Sequence, residues 1–247
     1  MLLKHKTAVI TGSNKGIGLS TLQSFSENGA NIIACARSIS KEFQQEVSQL
    51  EKKFKNKITI EKIDFSDENL SKEVGSKINL ENQKIDILVN NAGHIHTSLF
   101  QMTPLKKYKE IFQINYFSQI IFTQQIIKNM IKNKSGSIIY VSSTSGIDAN
   151  EGRGAYSDTK AAIISKAKVL SKELGIFNIR VNTVAPGLTN TDMMNNNTSK
   201  EKIKSTIENL SLKRFADPKE IANTIVFLSS DLSNYITGQT IRVDGGM

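Results

Sequence analysis

A single cysteine, Cys35, among 247 residues excludes an intramolecular disulfide and leaves no cysteine cluster to hold a metal. Cys35 lies in the apolar run Ile32–Ala36, where a small buried residue is expected rather than a nucleophile. Long apolar stretches are also missing. Nothing approaches the roughly 20 apolar residues of a membrane span, and Met1–Lys6 is too short and too polar for a secretory signal, so a cytoplasmic protein without membrane contact is expected. Arginine is scarce: only Arg37, Arg153, Arg180, Arg214 and Arg242 contribute to the 32 basic residues. The balance of 32 − 23 = +9 would suit an acidic partner. Yet the lysines are scattered among polar helical positions, as at Lys52, Lys53, Lys55 and Lys57. That pattern describes a solvated surface, with no nucleic-acid reading motif and no arginine-rich stretch. There is no internal repeat, long linker or break in composition, so residues 1–247 read as one domain.

What the chain does have is a regular alternation. Apolar, β-rich runs fall at Thr7–Thr11, Asn31–Ala36, Ile58–Ile63, Ile85–Asn90, Ser137–Ser142, Ile179–Ala185 and Gln239–Val243. Segments of helical period lie between them, at Gly16–Asn28, Lys41–Lys53, Glu68–Ile78, Tyr108–Lys132, Tyr156–Leu174 and Pro218–Leu228. Near-continuous apolar strands signal a parallel sheet covered on both faces. The expected fold is therefore α/β: a single Rossmann-type, doubly wound parallel sheet of about seven strands with helices on both faces. Residues 190–212 form the least compact stretch and read as a mobile lid.

Chemistry-bearing residues cluster just past the strand ends, where ligands of such sheets bind. Thr11–Gly18 places Gly12, Gly16 and Gly18 between a strand and a helix, with Ser13, Asn14, Lys15 and Ile17 interspersed. Glycines there permit a tight turn and let backbone N–H groups approach a pyrophosphate at a helix N-terminus. Asn90-Asn91-Ala92-Gly93 ends the fourth strand with small residues against which a flat cofactor can lie. Tyr156 and Lys160 are four residues apart, so phenol and ammonium share a helix face, and a nearby cation favours the phenolate. Ser143 ends the fifth strand thirteen residues earlier, with Ser142 beside it as the alternative hydroxyl for holding a substrate oxygen.

Together these segments resemble the short-chain dehydrogenase/reductases over essentially the whole chain. The family's T-G-x-x-x-G-I-G, N-N-A-G, Y-x-x-x-K, P-G-x-x-x-T and terminal D-G-G patterns are met in order at Thr11–Gly18, Asn90–Gly93, Tyr156–Lys160, Pro186–Thr191 and Asp244–Gly246. The resemblance implies an NAD(P)-dependent oxidoreductase with Asn115, Ser143, Tyr156 and Lys160 as catalytic residues. It assigns the cofactor to Gly12–Gly18, Arg37, Asp64, Phe65, Asn91, Ala92, Gly93, Tyr156, Lys160, Pro186, Gly187, Thr189 and Thr191. Tyr156 is then the proton donor and Lys160 its activator, while Asn115 holds a water beside Lys160. Ala185–Met193, Arg214–Ile221 and Tyr235–Gln239 resemble most closely the 3-oxoacyl-acyl-carrier-protein reductases, which implies reduction of an acyl-thioester substrate. Reductases or dehydrogenases of a sugar, steroid or polyketide-like ketone share those segments, so that alternative stays open, as does a binding protein that kept only the fold.

NADPH is expected over NADH, because the second strand ends at Arg37 with no acid to take a ribose 2′-OH, and Lys15 adds a cation. The resemblance further implies a homotetramer built through the helices Asn115–Lys132 and Gly154–Leu174. It also implies an acidic carrier protein as a partner, docked on basic residues. Lys134 stands at one such position; Phe177 replaces an arginine at another, leaving Arg180 and the overall charge to compensate. His94 and His96 follow the N-N-A-G turn without a carboxylate or cysteine partner and read as loop residues, with His96 a candidate substrate contact and no metal expected.

Overall fold

The computed structural model describes residues 1–247, with the side chain of Lys200 excepted. Seven strands form one parallel sheet in the order β3-β2-β1-β4-β5-β6-β7. They are β1 (Thr7–Thr11), β2 (Asn31–Ala36), β3 (Ile58–Lys62), β4 (Ile87–Asn90), β5 (Gly136–Val141), β6 (Ile179–Pro186) and β7 (Thr240–Val243). The helices are α1 (Gly16–Glu27), α2 (Lys41–Phe54), α3 (Glu68–Glu81), α4 (Leu105–Phe112), α5 (Ser118–Asn133), α6 (Ser145–Asp148), α7 (Gly154–Leu174), α8 (Asp192–Asn197), α9 (Lys200–Asn209) and α10 (Pro218–Ser229). The expected doubly wound architecture is present, with strand boundaries shifted by no more than two residues.

The near-continuous apolar strands are explained by the two cores they feed. Alternate residues point to opposite faces. Ala8 and Ile10 of β1 pack with Leu22, Phe25, Ile221 and Ile225 of α1 and α10. Val9 and Ile33 pack on the other face with Phe122, Ile126 and Ile163 of α5 and α7. Helix starts follow local chemistry. Ser40 and Asp67 accept N–H groups of α2 and α3, and Asp217 with Glu220 forms a capping box ahead of Pro218.

Two segments depart from the sequence reading. The helix expected over Tyr108–Lys132 is interrupted: α4 and α5 are joined by a π-helical turn at Gln113–Phe117. One extra residue in that turn rotates Asn115 inward, to full burial. Apolar periodicity continues smoothly across it, so pattern alone does not reveal the break. The lid stretch 190–212 contains two helices, α8 and α9, capped by Thr191 and Ser199, whose side chains accept the N–H groups of Met194 and Lys202. Its polar, asparagine-rich sequence hides that local order. No helix among the described residues is long and apolar enough to cross a membrane.

Candidate active site

The sheet order reverses between β1 and β4, and the site opens at the carboxyl ends of those strands. Its floor is built by β1 and β4 holding each other's turns. Thr11 Oγ1 donates to Val89 O and accepts the N–H groups of Asn91 and Ala92, both at 3.0 Å. Asn91 Nδ2 donates to Thr11 O (3.0 Å) and Gly12 O (3.2 Å). This close approach explains two glycines. Gly12 has φ +65°, and a Cβ there would lie 3.0 Å from Ala92 Cα; a Cβ on Gly18 would lie 2.0 Å from Gly12 O. Ser13 Oγ is tied to Cys35 O and Asn14 Nδ2 to Ser38 O, anchoring the loop to the end of β2. The first N–H groups of α1 have no side-chain cap, which leaves them to an anion. Cys35 is fully buried, and burial, helped by Glu61, pushes its thiol pKa up, in keeping with a core residue.

At the other side of the opening stand α7 and the end of β5. Tyr156 is 8% exposed. Burial raises its pKa above the usual phenol value, while the hydroxyl of Ser143 and the guanidinium of Arg153 pull it down. Lys160 is 3% exposed; burial pushes its pKa down to about 8, and Nζ donates to Val141 O at 2.8 Å, 5.6 Å from the Tyr156 ring centroid. Two cations thus serve the phenol: Lys160 beside its ring, and Arg153, whose charge pulls its pKa down. Ser142 is committed elsewhere, its Oγ donating to Lys160 O at 2.8 Å. Ser143 Oγ accepts only the nearby Ser145 N–H among the described residues and faces the cavity. Asn115 reaches the same corner: Oδ1 accepts His94 N–H (2.7 Å), and Nδ2 donates to His94 O (2.8 Å) and Thr159 Oγ1 (3.1 Å). A Cβ on Gly93 would sit 3.5 Å from both Asn115 Oδ1 and Lys160 Nζ, so the backbone turn lies against this pair.

Between floor and corner lies a cavity of about 880 Å³, within the ~300–1,000 Å³ range of small-molecule and cofactor sites. Of the catalytic and cofactor residues expected from the sequence, Ser13, Gly18, Arg37, Asp64, Phe65 and Asn115 do not form its wall; the others in those two sets do. Asp64 Oδ1 is engaged by the N–H and hydroxyl of Ser66. Phe65 packs its ring edge-on against Phe122 (5.7 Å between centroids) in the core, so only its backbone is available to a cofactor. Pro186 ends β6 beside Val243 of β7 and Gly187 follows it, where a Cβ on Gly187 would strike Asp244, and Thr189 Oγ1 donates to Gly187 O. Arg37 is exposed at the end of β2. Its charge reaches His94, whose pKa is lowered first by burial and then by Arg37, Lys107, His96 and Lys15. The cations of the glycine loop and of the β2 end thus converge on one edge of the site. The glycine cradle, the open helix N-terminus and this cationic edge fit a phosphorylated dinucleotide.

Sequence reasoning missed Arg153, which lines the cavity at the N-cap of α7. Lone arginines in glycine-rich loops carry no periodic signal; its position three residues before Tyr156 was the available clue. His94 and His96 border a smaller hollow, about 620 Å³, opposite Asn196–Ser199.

Comparison with known proteins follows this geometry. A family described as "Enoyl-(Acyl carrier protein) reductase" matches residues 12–247. The chain is 36% identical over 247 residues to a 3-oxoacyl-[acyl-carrier-protein] reductase, FabG, of Thermotoga maritima, covering 100% of this chain and 99% of the relative. It is 37% identical over 250 residues to FabG of Chlamydia trachomatis, at 100% and 98% coverage. Among solved structures it resembles a putative NAD(P)-dependent gluconate 5-dehydrogenase from Beutenbergia cavernae with bound NADP (TM-score 0.93, 25% identity, 99% and 97% coverage). It also resembles a 7α-hydroxysteroid dehydrogenase complexed with NADH and 7-oxo glycochenodeoxycholic acid (TM-score 0.92, 27% identity, 99% and 94% coverage).

Proposed function

The chain belongs to the short-chain dehydrogenase/reductase family, and from that premise we propose that it reduces 3-oxoacyl thioesters to 3-hydroxyacyl thioesters with NADPH, in the manner of the reductases of fatty acid biosynthesis. It is an NAD(P)-dependent oxidoreductase acting on a carbonyl or hydroxyl group. The observation that carries the reading is the convergence of Ser143, Tyr156 and Lys160 on one cavity floored by the glycine turn.

The chemistry a reduced nicotinamide would supply here, once bound, is the hydride. Every other task falls to side chains. Ser143 and Tyr156 hold the substrate carbonyl oxygen by donated hydrogen bonds, and Tyr156, kept protonated by burial, gives that oxygen its proton. Lys160, at the corner between α7 and the end of β5, would hold the ribose hydroxyls and restores the proton to the phenol. Asn115 fixes the His94 backbone next to Lys160 and orders the route to solvent. Gly12–Gly18, Asn91–Gly93 and Pro186–Thr191 hold the cofactor, with the Asp64 and Phe65 backbone beyond them.

A preference for NADPH rests on Arg37 and Lys15, with no carboxylate at the end of β2. Ala36→Asp combined with Arg37→Leu is expected to move the ratio of kcat/KM for NADPH over NADH toward NADH by at least ~10-fold, the value of one charged hydrogen bond. Equal use of both cofactors by the unmodified protein overturns the preference.

The substrate reading is tested by following NADPH absorbance with acetoacetyl-carrier-protein and acetoacetyl-coenzyme A at low and high salt. Turnover of both is expected, with a carrier preference at low salt that shrinks as salt screens the attraction. That preference leans on exposed Lys134 and the charge of +9. Phe177 packs on the core, and Arg180 spends donors on Ser230 O and Ile236 O. Activity on neither thioester, beside good activity on a sugar or cyclic ketone, overturns the reading. For assembly, we infer a homotetramer through α5 and α7, which expose Phe117 just ahead of α5 and Val169 on α7.

A further inference from the structure

Among the described residues, Arg153 is the one cation on the cavity wall besides Lys15, Lys160 and Lys202, and the catalytic roles above leave it unused. It stands at the N-cap of α7, three residues before Tyr156, so its side chain leaves the helix on the side of the phenol. Its orientation is set by the end of α8 and the residue after it: Nη2 donates to Asn197 O at 2.8 Å and to Thr198 Oγ1 at 2.9 Å. Thr97 Oγ1 donates to the same Asn197 O, which fastens the far side of that segment to the loop after β4. The guanidinium therefore does not wander. Among the described residues it has no carboxylate partner, and Nη1 is buried without any acceptor.

A buried donor on a charged group is costly to leave unmatched. Among the described residues nothing accepts from Nη1, and the cavity that Arg153 lines is where an acceptor can be supplied. Arg153 lines the same cavity as Ser143 and Tyr156, which hold the reacting carbonyl. A 3-oxoacyl thioester carries a second carbonyl separated from the first by a single methylene. A simple ketone of the same length does not.

We propose that Arg153 is a specificity-determining residue that donates a charge-assisted hydrogen bond to the thioester carbonyl while Ser143 and Tyr156 hold the 3-oxo group. This rests on the substrate reading above and deepens it. Holding both oxygens of a 1,3-dicarbonyl fixes the methylene and the reacting carbon between two anchored points, and selects such substrates over monoketones. The bond that Nη2 makes to the segment ahead of α9 pre-orients the donor, so little freedom remains to be lost on binding.

The test compares wild type, Arg153→Met, Arg153→Lys and Thr198→Val on two substrates: S-acetoacetyl-N-acetylcysteamine, and its thioether analogue in which a methylene replaces the thioester carbonyl. Wild type should favour the thioester. Arg153→Met should lose about 10- to 100-fold in kcat/KM on the thioester, the worth of a charged hydrogen bond, and less than about 3-fold on the analogue. Arg153→Lys should recover part of the loss, and NADPH affinity should stay within about 3-fold in all variants, which checks that the fold is intact. Thr198→Val, which removes one of the two latch bonds and leaves the donor and its bond to Asn197 O in place, should cost clearly less thioester turnover than Arg153→Met. Equal losses on both substrates, or a Thr198→Val variant as poor as Arg153→Met, would assign Arg153 to lid positioning and overturn the proposal while leaving the thioester reading standing. A wild-type enzyme inactive on the thioester overturns both.

Discussion

Replacing Tyr156 by Phe is expected to lower kcat for ketone reduction by about 10³-fold, within the ~10²–10⁴-fold span of a positioned general acid. The aromatic ring is buried at the foot of α7, so the substitution preserves its packing and removes one oxygen. Three features assign the proton to that oxygen. Burial holds the phenol protonated, the form a reductase needs. Ser143 is beside it and cannot itself act as an acid near neutral pH. Ser142, the other hydroxyl at this strand end, is bound to the Lys160 carbonyl. Because the phenol is one of many expected cofactor contacts and its main task is chemistry, the dissociation constant for NADPH should stay within about 3-fold of wild type by fluorescence titration. A Phe variant retaining a tenth or more of wild-type turnover would remove Tyr156 from the proton-donor role.

Lys160→Met should damage two quantities at once. Turnover is expected to fall by about 10²-fold, and NADPH affinity by about 10-fold or more, because a charged donor to the ribose is lost along with the group that restores the tyrosine proton. The pH dependence gives the sign. In the free enzyme Lys160 titrates at about 8, lowered by burial. It is therefore charged at pH 7 and largely neutral at pH 9, and wild-type NADPH affinity should decline across that interval. In Lys160→Met the same interval should be flat. The same shift affects stability: the unfolded lysine, titrating near its ordinary value of 10.5, binds more protons than the folded one between pH 8 and that value. This group therefore makes stability rise with pH across that window, and the Met variant should lose that rise. Unchanged NADPH affinity in the variant, or an undiminished pH slope, would detach Lys160 from the cofactor.

The alternation of apolar runs with helical periods sufficed to lay out seven strands and their order of appearance. Each signal is local: a strand buried on both faces must be apolar at consecutive positions, as at Ile87–Val89, and a helix must repeat its apolar face, as in α10. The same holds for Tyr156 and Lys160, whose four-residue spacing forces them onto one face, and for Gly12 and Gly18, whose absence of a Cβ is a property of the residue itself. Asn115 was legible only through resemblance, since the π-turn that buries it leaves the surrounding apolar pattern undisturbed.

What the sequence determined by itself, then, was the fold class, the place of the site past the strand ends, and the identity of the short-range pairs, because these follow from backbone geometry over a few residues. Only the tertiary structure decided how distant segments meet. Thr11 and Asn91 lock two turns 80 residues apart, Ser142 is separated from Ser143 in role by a carbonyl 18 residues on, and Arg153 is set by Asn197 and Thr198. It also decided that Tyr156 is buried, which raises its pKa, and that Arg153 joins Lys160 as a cation acting on it. Desolvation and long-range contact depend on the whole packed surroundings of a group, and no spacing along the chain encodes them.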